Sequence, residues 1–248
     1  MRQIEALIER VKQVNTQHQH IELVVDEAMA RIKPGQSLLA RFTESNWQPY
    51  LREHWWPVGI VQGQNKLLIE RPTSEQYQPG QVIDIMGLVG RPYRFRRNLR
   101  NVLLIAYDTP PTPLLMIIPW LLGNSISVTL VLVGSAASYG TSHVSPEVEV
   151  VHGDTEFVWP NQVMTVGWAD QVFVTVAQDN QMERFRSVYD RFQELRANLP
   201  QNYLFGTFDP ILPCGEGACQ ACMVNTRSGP QLICTEGPAM DLTQVILP

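Results

Sequence analysis

Four cysteines, the only four in the chain, lie in one stretch, Cys214-Gly-Glu-Gly-Ala-Cys219-Gln-Ala-Cys222 followed by Cys234. No other feature restricts so sharply how the C-terminal part can fold. Two irons bridged by two sulfides need four thiolates, and a four-residue gap followed by a two-residue gap lets one tight loop supply three before a more distant residue supplies the fourth. The spacing therefore predicts a [2Fe-2S] cluster on Cys214, Cys219, Cys222 and Cys234. Gly215, Gly217 and Ala218 suit this, because small residues let the backbone close over a cluster and aim N–H groups at sulfur. Two other readings of the same thiols stay open. A structural zinc site usually pairs two Cys-x-x-Cys knuckles, and only Cys219 and Cys222 make one. Disulfides require an oxidising compartment, and the chain starts without a charged segment followed by an apolar signal core.

At 248 residues with 44% hydrophobic content, the chain can bury a proper core. A net charge of −5 with no periodic basic face argues against nucleic acid as a partner. From Thr109 to Pro146 there is no Asp, Glu, Lys or Arg. Pro119 and Gly123-Asn124-Ser125 interrupt that apolar run before it reaches the length of a membrane span, so no span is expected.

Four parts follow from the patterning. Ile4, Leu7, Ile8, Val11 and Val14 recur at helical spacing, so residues 2–15 are expected to form an amphipathic helix within an N-terminal segment 1–18. Residues 19–98 carry short apolar runs between Pro34-Gly35 and Pro79-Gly80 turns, the pattern of a small antiparallel β-barrel. Residues 99–200 alternate strands (102–106, 128–133, 148–151, 172–176) with helices (113–122, 182–199), which implies a Rossmann-like, mostly parallel α/β sheet. The cysteine segment, 201–248, is expected to close the chain as a separate small module. His18 and His20, in a Gln-rich stretch, are expected to be solvated.

A barrel, an α/β domain and a four-cysteine module in that order resemble the electron-transfer subunit of two-subunit dihydroorotate dehydrogenases, within the ferredoxin-reductase-like superfamily. The resemblance covers roughly residues 20–248. It rests on Cys214-Gly215-x-Gly217-x-Cys219-x-x-Cys222 with Cys234 and the trailing Glu236-Gly237-Pro238, on Lys33-Pro34-Gly35-Gln36, and on Pro79-Gly80-Gln81 with the strand that follows. It implies FAD in the barrel, NAD(H) at the α/β domain, and a cluster that hands electrons to a separate flavin-bearing catalytic subunit.

The chain departs from that pattern at both dinucleotide sites. The family's Arg-Pro-x-Ser flavin motif is similar to Trp56-Pro57-Val58-Gly59 in its proline alone, so the phosphate-pairing arginine and the hydroxyl are missing. Its Gly-Thr pyrophosphate pair corresponds to the region Glu70-Arg71-Pro72-Thr73-Ser74, where Thr73 and Ser74 are the remaining hydroxyls and Glu70 adds a carboxylate. Trp56, Pro57, Thr73 and Ser74 are thus the candidate flavin contacts, and FAD binding is left open. The glycine-rich turn for NAD(H) is replaced by Ala106-Tyr107-Asp108-Thr109-Pro110-Pro111, so no NAD(H) site is expected. The overall expectation is a cytoplasmic iron–sulfur electron-transfer subunit in a hetero-oligomer with a flavoprotein oxidoreductase. The alternatives are a structural or redox-sensing subunit built on the same scaffold, and a reductase subunit with atypical flavin contacts.

Overall fold

The computed structural model describes residues 1–42, 51–61 and 63–248. The N-terminal part is one antiparallel sheet of seven strands, β1 (Arg2–Gln13), β2 (His18–Val24), β3 (Ser37–Phe42), β4 (Glu53–Trp55), β5 (Pro57–Val61), β6 (Lys66–Pro72) and β7 (Val82–Val89), with one helical turn, α1 (Glu27–Ala30). The strand order is β4-β3-β7-β1-β2-β6-β5. The two edge strands, β4 and β5, follow each other in the chain across Trp56, so the sheet must curl until its edges meet. The inner face of this half-barrel is filled by Ala6, Ile8, Ile21, Leu23, Leu38, Trp55, Leu67, Ile69 and Ile85.

The expected N-terminal helix is instead β1, paired with both β2 and β7. Ile4, Ala6 and Ile8 alternate inward as in any strand, and a bulge between Ile8 and Arg10 then inserts one residue, so that Val11 turns back toward the core. Alternation interrupted by a bulge imitates a helical period. Leu7, counted as part of the helical stripe, is 43% exposed.

The second half is a six-stranded sheet of order β10-β9-β8-β11-β12-β15, built from β8 (Asn101–Tyr107), β9 (Ser127–Val133), β10 (Glu149–His152), β11 (Gln171–Val176), β12 (Leu204–Thr207) and β15 (Ala239–Asp241). The first five run parallel and β15 runs antiparallel to β12. The helices are α2 (Thr112–Leu115), α3 (Ile118–Gly123), α4 (Gln162–Trp168) and α5 (Gln181–Leu195). The single helix expected over 113–122 is two short ones, with Pro119 in the first turn of the second, where its missing N–H costs nothing. Helix α5 buries Phe185, Val188 and Phe192 against the sheet. No described helix is long and apolar enough to cross a membrane.

The cysteine segment is the small C-terminal unit, and its flanking strands tie it to the α/β half. Both β12 and β15 belong to the α/β sheet, and between them the chain makes a small hairpin, β13 (Met223–Thr226) with β14 (Gly229–Leu232), and the turn α6 (Ile233–Glu236). The half-barrel grips the same segment: Gly90 N–H donates to the Cys234 carbonyl at 3.0 Å and Arg91 N–H to the Gly237 carbonyl at 2.6 Å. At Gly90, whose φ is +78°, an added Cβ would sit 3.1 Å from the Gly237 carbonyl oxygen, so this approach requires glycine.

Candidate iron–sulfur site and its surroundings

The four thiols are free and graded in burial: Cys222 and Cys234 are buried, Cys214 is intermediate and Cys219 is exposed. Cys214 to Cys219 is a loop with left-handed glycines at Gly215 (φ +66°) and Gly217 (φ +82°). Such turns point successive N–H groups inward, and the Cys219 N–H lies 3.5 Å from Cys214 Sγ. Cys222 and Cys234 flank the β13–β14 hairpin. It returns the chain so that Ile233 N–H meets the Cys222 carbonyl at 3.1 Å and Cys234 N–H meets Cys222 Sγ at 3.4 Å.

Electrostatics distinguish the two edges. Partial burial would raise the Cys214 thiol, but the N–H groups of Cys219, Glu216 and Ala218 turned toward its sulfur outweigh that and bring it down to about 7. Burial and the neighbouring Cys222 thiol push Cys234 up to about 12, and Cys214 adds to that push through its charge. A cationic centre bound to the thiolates would offset the burial and the neighbouring thiol that raise Cys234. The donor set, the loop glycines and the N–H groups on sulfur all fit a [2Fe-2S] cluster.

The candidate flavin contacts are not brought together. Trp56 is buried, and its Nε1 donates to Asp209 Oδ1 at 3.1 Å. Pro57 pairs with Ile69 on β6, and Thr73 lies four residues further along, about 13 Å at strand rise. There Thr73 is bound to the β1–β2 turn, N–H to the Gln17 carbonyl and Oγ1 to the Thr16 carbonyl. Ser74 is exposed. Arg52 is paired with Asp84, and Arg71 with Glu53 and Glu75. Glu70 sits buried within that region and adds a carboxylate where the family's pyrophosphate pair would lie.

At the expected nicotinamide turn, Asp108 adopts φ +56°, accepts the Ser135 N–H on Oδ1 at 3.0 Å and takes Arg184 on Oδ2 at 2.6 Å. Its carboxylate thus bridges the turn after β8 to the first residues of the short 3-10 turn Gly134–Ser138 that follows β9, and the turn after β8, where the family's glycine-rich loop lies, is closed by this side chain.

Two polar clusters escaped the sequence reading. Ser37 Oγ, His54 and Asp209 form a chain, with His54 Nε2 2.5 Å from Ser37 Oγ and Nδ1 2.6 Å from Asp209 Oδ1. Ser37 is 2% exposed, so this arrangement braces the barrel against the segment leading to Cys214 and offers no nucleophile to a substrate. The second cluster surrounds Glu70. His18 and His20 lie on β2, with His18 7% exposed, and are not the solvated turn residues expected. His20 is the cross-strand partner of Glu70. The signal that could have found this cluster was the period-two His-x-His spacing, legible only once 18–24 is known to be a strand.

The iron–sulfur cluster binding domain of dihydroorotate dehydrogenase B is matched over residues 209–246, a range containing all four cysteines. Over the full length of both chains, the sequence is 24% identical to the electron transfer subunit of dihydroorotate dehydrogenase B (NAD(+)) from Shouchella clausii. Among solved structures, one described for flavin-based electron bifurcation by an NADH-dependent reduced ferredoxin-NADP oxidoreductase superposes with a TM-score of 0.74 at 16% identity, covering 98% of this chain and 90% of that one. The ferredoxin reductase of carbazole 1,9a-dioxygenase gives 0.60 at 13% identity, covering 84% and 69%. At those identities the structural likeness speaks to the fold. Sequence match, fold and cysteine geometry converge: residues 209–246 match the iron–sulfur cluster binding domain of dihydroorotate dehydrogenase B, and the half-barrel and α/β sheet that carry them have the fold of ferredoxin reductases.

Proposed function

We propose that this chain is an electron-transfer subunit that passes single electrons through a [2Fe-2S] cluster, held by Cys214, Cys219, Cys222 and Cys234, to or from a flavoprotein oxidoreductase partner of the dihydroorotate dehydrogenase type. The observation that carries the reading is the graded cysteine loop, with N–H groups on the sulfurs, one edge buried and the other open. When bound, the cluster supplies reversible acceptance of one electron.

The chain's own residues do the rest. Cys222 and Cys234 anchor the inner edge against the hairpin and the barrel strand end at Gly90, which limits reorganisation around that edge. Beside the cysteines lies an apolar rim: Ile211, Met223 and Ile246 are 70%, 50% and 56% exposed and border a groove of about 850 Å³ that also reaches Pro213 and Cys222. Exposed apolar surface of this kind suits a protein partner docked within electron-transfer distance of Cys219, and so a hetero-oligomer. Asp108 and Arg184 fill the nicotinamide turn, which supports a subunit that takes its electrons from protein and not from NAD(H). Four unpaired thiols suit a reducing compartment, and we place the subunit in the cytoplasm on that ground.

The test is an anaerobic absorption spectrum before and after dithionite, with iron, sulfide and acid-released flavin assayed on the same sample. About two irons and two sulfides per chain, bleached by dithionite and restored by an oxidised flavoprotein, are expected. Zinc on the four cysteines in place of iron would refute the proposal, and stoichiometric FAD would overturn the reading of the barrel.

A further inference from the structure

The Glu70 cluster lies outside the machinery described so far. Glu70 is a carboxylate on β6 with no exposed side-chain surface. Its Oε1 accepts the Thr112 hydroxyl at 2.6 Å, and its Oε2 accepts the Tyr139 hydroxyl at 2.6 Å. His20 Nε2 and His143 Nε2 also face Oε2, at 3.3 and 3.4 Å. His20 and Glu70 come from the half-barrel, whereas Thr112, Tyr139 and His143 come from the α/β half. A buried carboxylate that joins two halves of a fold through two imidazoles needs a reason, because burying the charge is costly.

The distances supply one. Charge-assisted N–H···O bonds run about 2.7–2.9 Å, shorter than either histidine contact. Atoms bound at about 2.0 Å to one tetrahedral ion stand about 3.3 Å apart, which matches both. The ligand atoms of His20, Glu70 and His143 all lie within 4.8 Å of one another. Thr112 and Tyr139 fix the carboxylate's orientation as outer partners of a metal ligand do. His143 Nε2 also lies 2.9 Å from the Tyr139 hydroxyl, which itself donates to Glu70, so an ion on Nε2 takes the place of a ring N–H and moves that proton to the buried Nδ1. On the open side lies an apolar cavity of about 290 Å³ lined by His20, His143, Val58, Leu68, Leu115 and Ile118.

We propose that His20, Glu70 and His143 form a binding site for one divalent transition-metal ion, zinc by ligand type, with its remaining position open to the apolar cavity. Two imidazoles and one carboxylate with an open position form a donor set that soft-metal and hard-metal sites do not share. The ion would clamp the half-barrel to the α/β half. It is independent of the cysteine cluster.

The test keeps the two sites apart. Protein with its iron–sulfur cluster intact, verified by iron and sulfide content, is incubated anaerobically with zinc, desalted, and measured by zinc-edge X-ray absorption and by titration. One zinc per chain with nitrogen and oxygen neighbours at about 2.0 Å and no sulfur at about 2.3 Å is expected. His20→Gln and His143→Gln should each lower zinc affinity by more than about 100-fold, and Tyr139→Phe, an outer partner, by about 10-fold, with cluster iron unchanged. Wild-type protein that retains no zinc, or zinc bound through sulfur, overturns the assignment even if the variants fail to fold. Loss of the iron–sulfur cluster in the wild type would strike the proposed function and leave this site untouched.

Discussion

Asp209 stands where the half-barrel meets the segment leading to Cys214, and Asp209→Ala tests whether buried hydrogen bonds hold that junction. Its Oδ1 accepts from His54 Nδ1 at 2.6 Å and from Trp56 Nε1 at 3.1 Å. Removing it leaves two donors without an acceptor, on side chains that are 9% exposed for His54 and within a residue 6% exposed for Trp56. An orphaned buried donor costs about 1–3 kcal/mol, so two cost about 2–6 kcal/mol. Because the Asp209 side chain is 30% exposed, water reaches the vacated position and the lower part of that range applies, about 2–3 kcal/mol. Asp209→Asn keeps a carbonyl oxygen with two lone pairs and should lose about 1 kcal/mol. In a chain of this size the alanine variant should lower Tm by about 4–12 °C. Urea unfolding followed by tryptophan fluorescence reports it, with circular dichroism to check that the transitions coincide. A Trp56→Phe, Asp209→Ala cycle should return a coupling of about 1 kcal/mol. An alanine variant within about 0.5 kcal/mol of wild type, or an asparagine variant equally damaged, would refute the reasoning.

Acid should weaken the metal-free fold in two stages. Burial holds His18 below its ordinary value, so the unfolded chain takes that proton first and stability falls as pH drops through about 6.5. Burial alone would raise Glu70, but His143, His20, Thr112 and Tyr139 hold its carboxyl well below the usual range; its contribution is complete above about pH 4.3 and is lost as pH falls further. Urea midpoints in chelator across that range check both stages, and a midpoint that rises on acidification contradicts them. Gly217→Ala should cost about 1–2 kcal/mol and lower cluster occupancy, because φ is +82° and the new Cβ would meet Leu232 and Thr235 at 3.2 Å; iron per chain after anaerobic purification measures it. Calorimetric titration with NADH should show no saturable binding and no cluster reduction, because Asp108 already takes the Ser135 N–H; saturable binding would mean that the carboxylate moves aside.

The cysteine segment was legible as an iron–sulfur binding domain because its signal is local: three of the four thiols lie within nine residues, with glycines between them. The α/β strands and α5 were legible for a similar reason, since a buried parallel strand reads as a continuous apolar run and a long surface helix repeats its apolar positions. The N-terminal strand was not, because a single bulge shifted its phase and neighbouring strands, not local propensity, decided its conformation.

By itself, then, the sequence determined the kind of cofactor chemistry at the C-terminus and the order of barrel, α/β sheet and cysteines. Tertiary structure alone decided that β12 and β15 stitch the cysteine segment into the α/β sheet, that Asp209 binds the barrel through His54 and Trp56, and that His20, Glu70 and His143 meet. Those contacts join residues up to 155 positions apart. Local spacing carries no trace of them, because they exist only once two sheets have packed and the burial of a charged or polar group has forced it to find its partner.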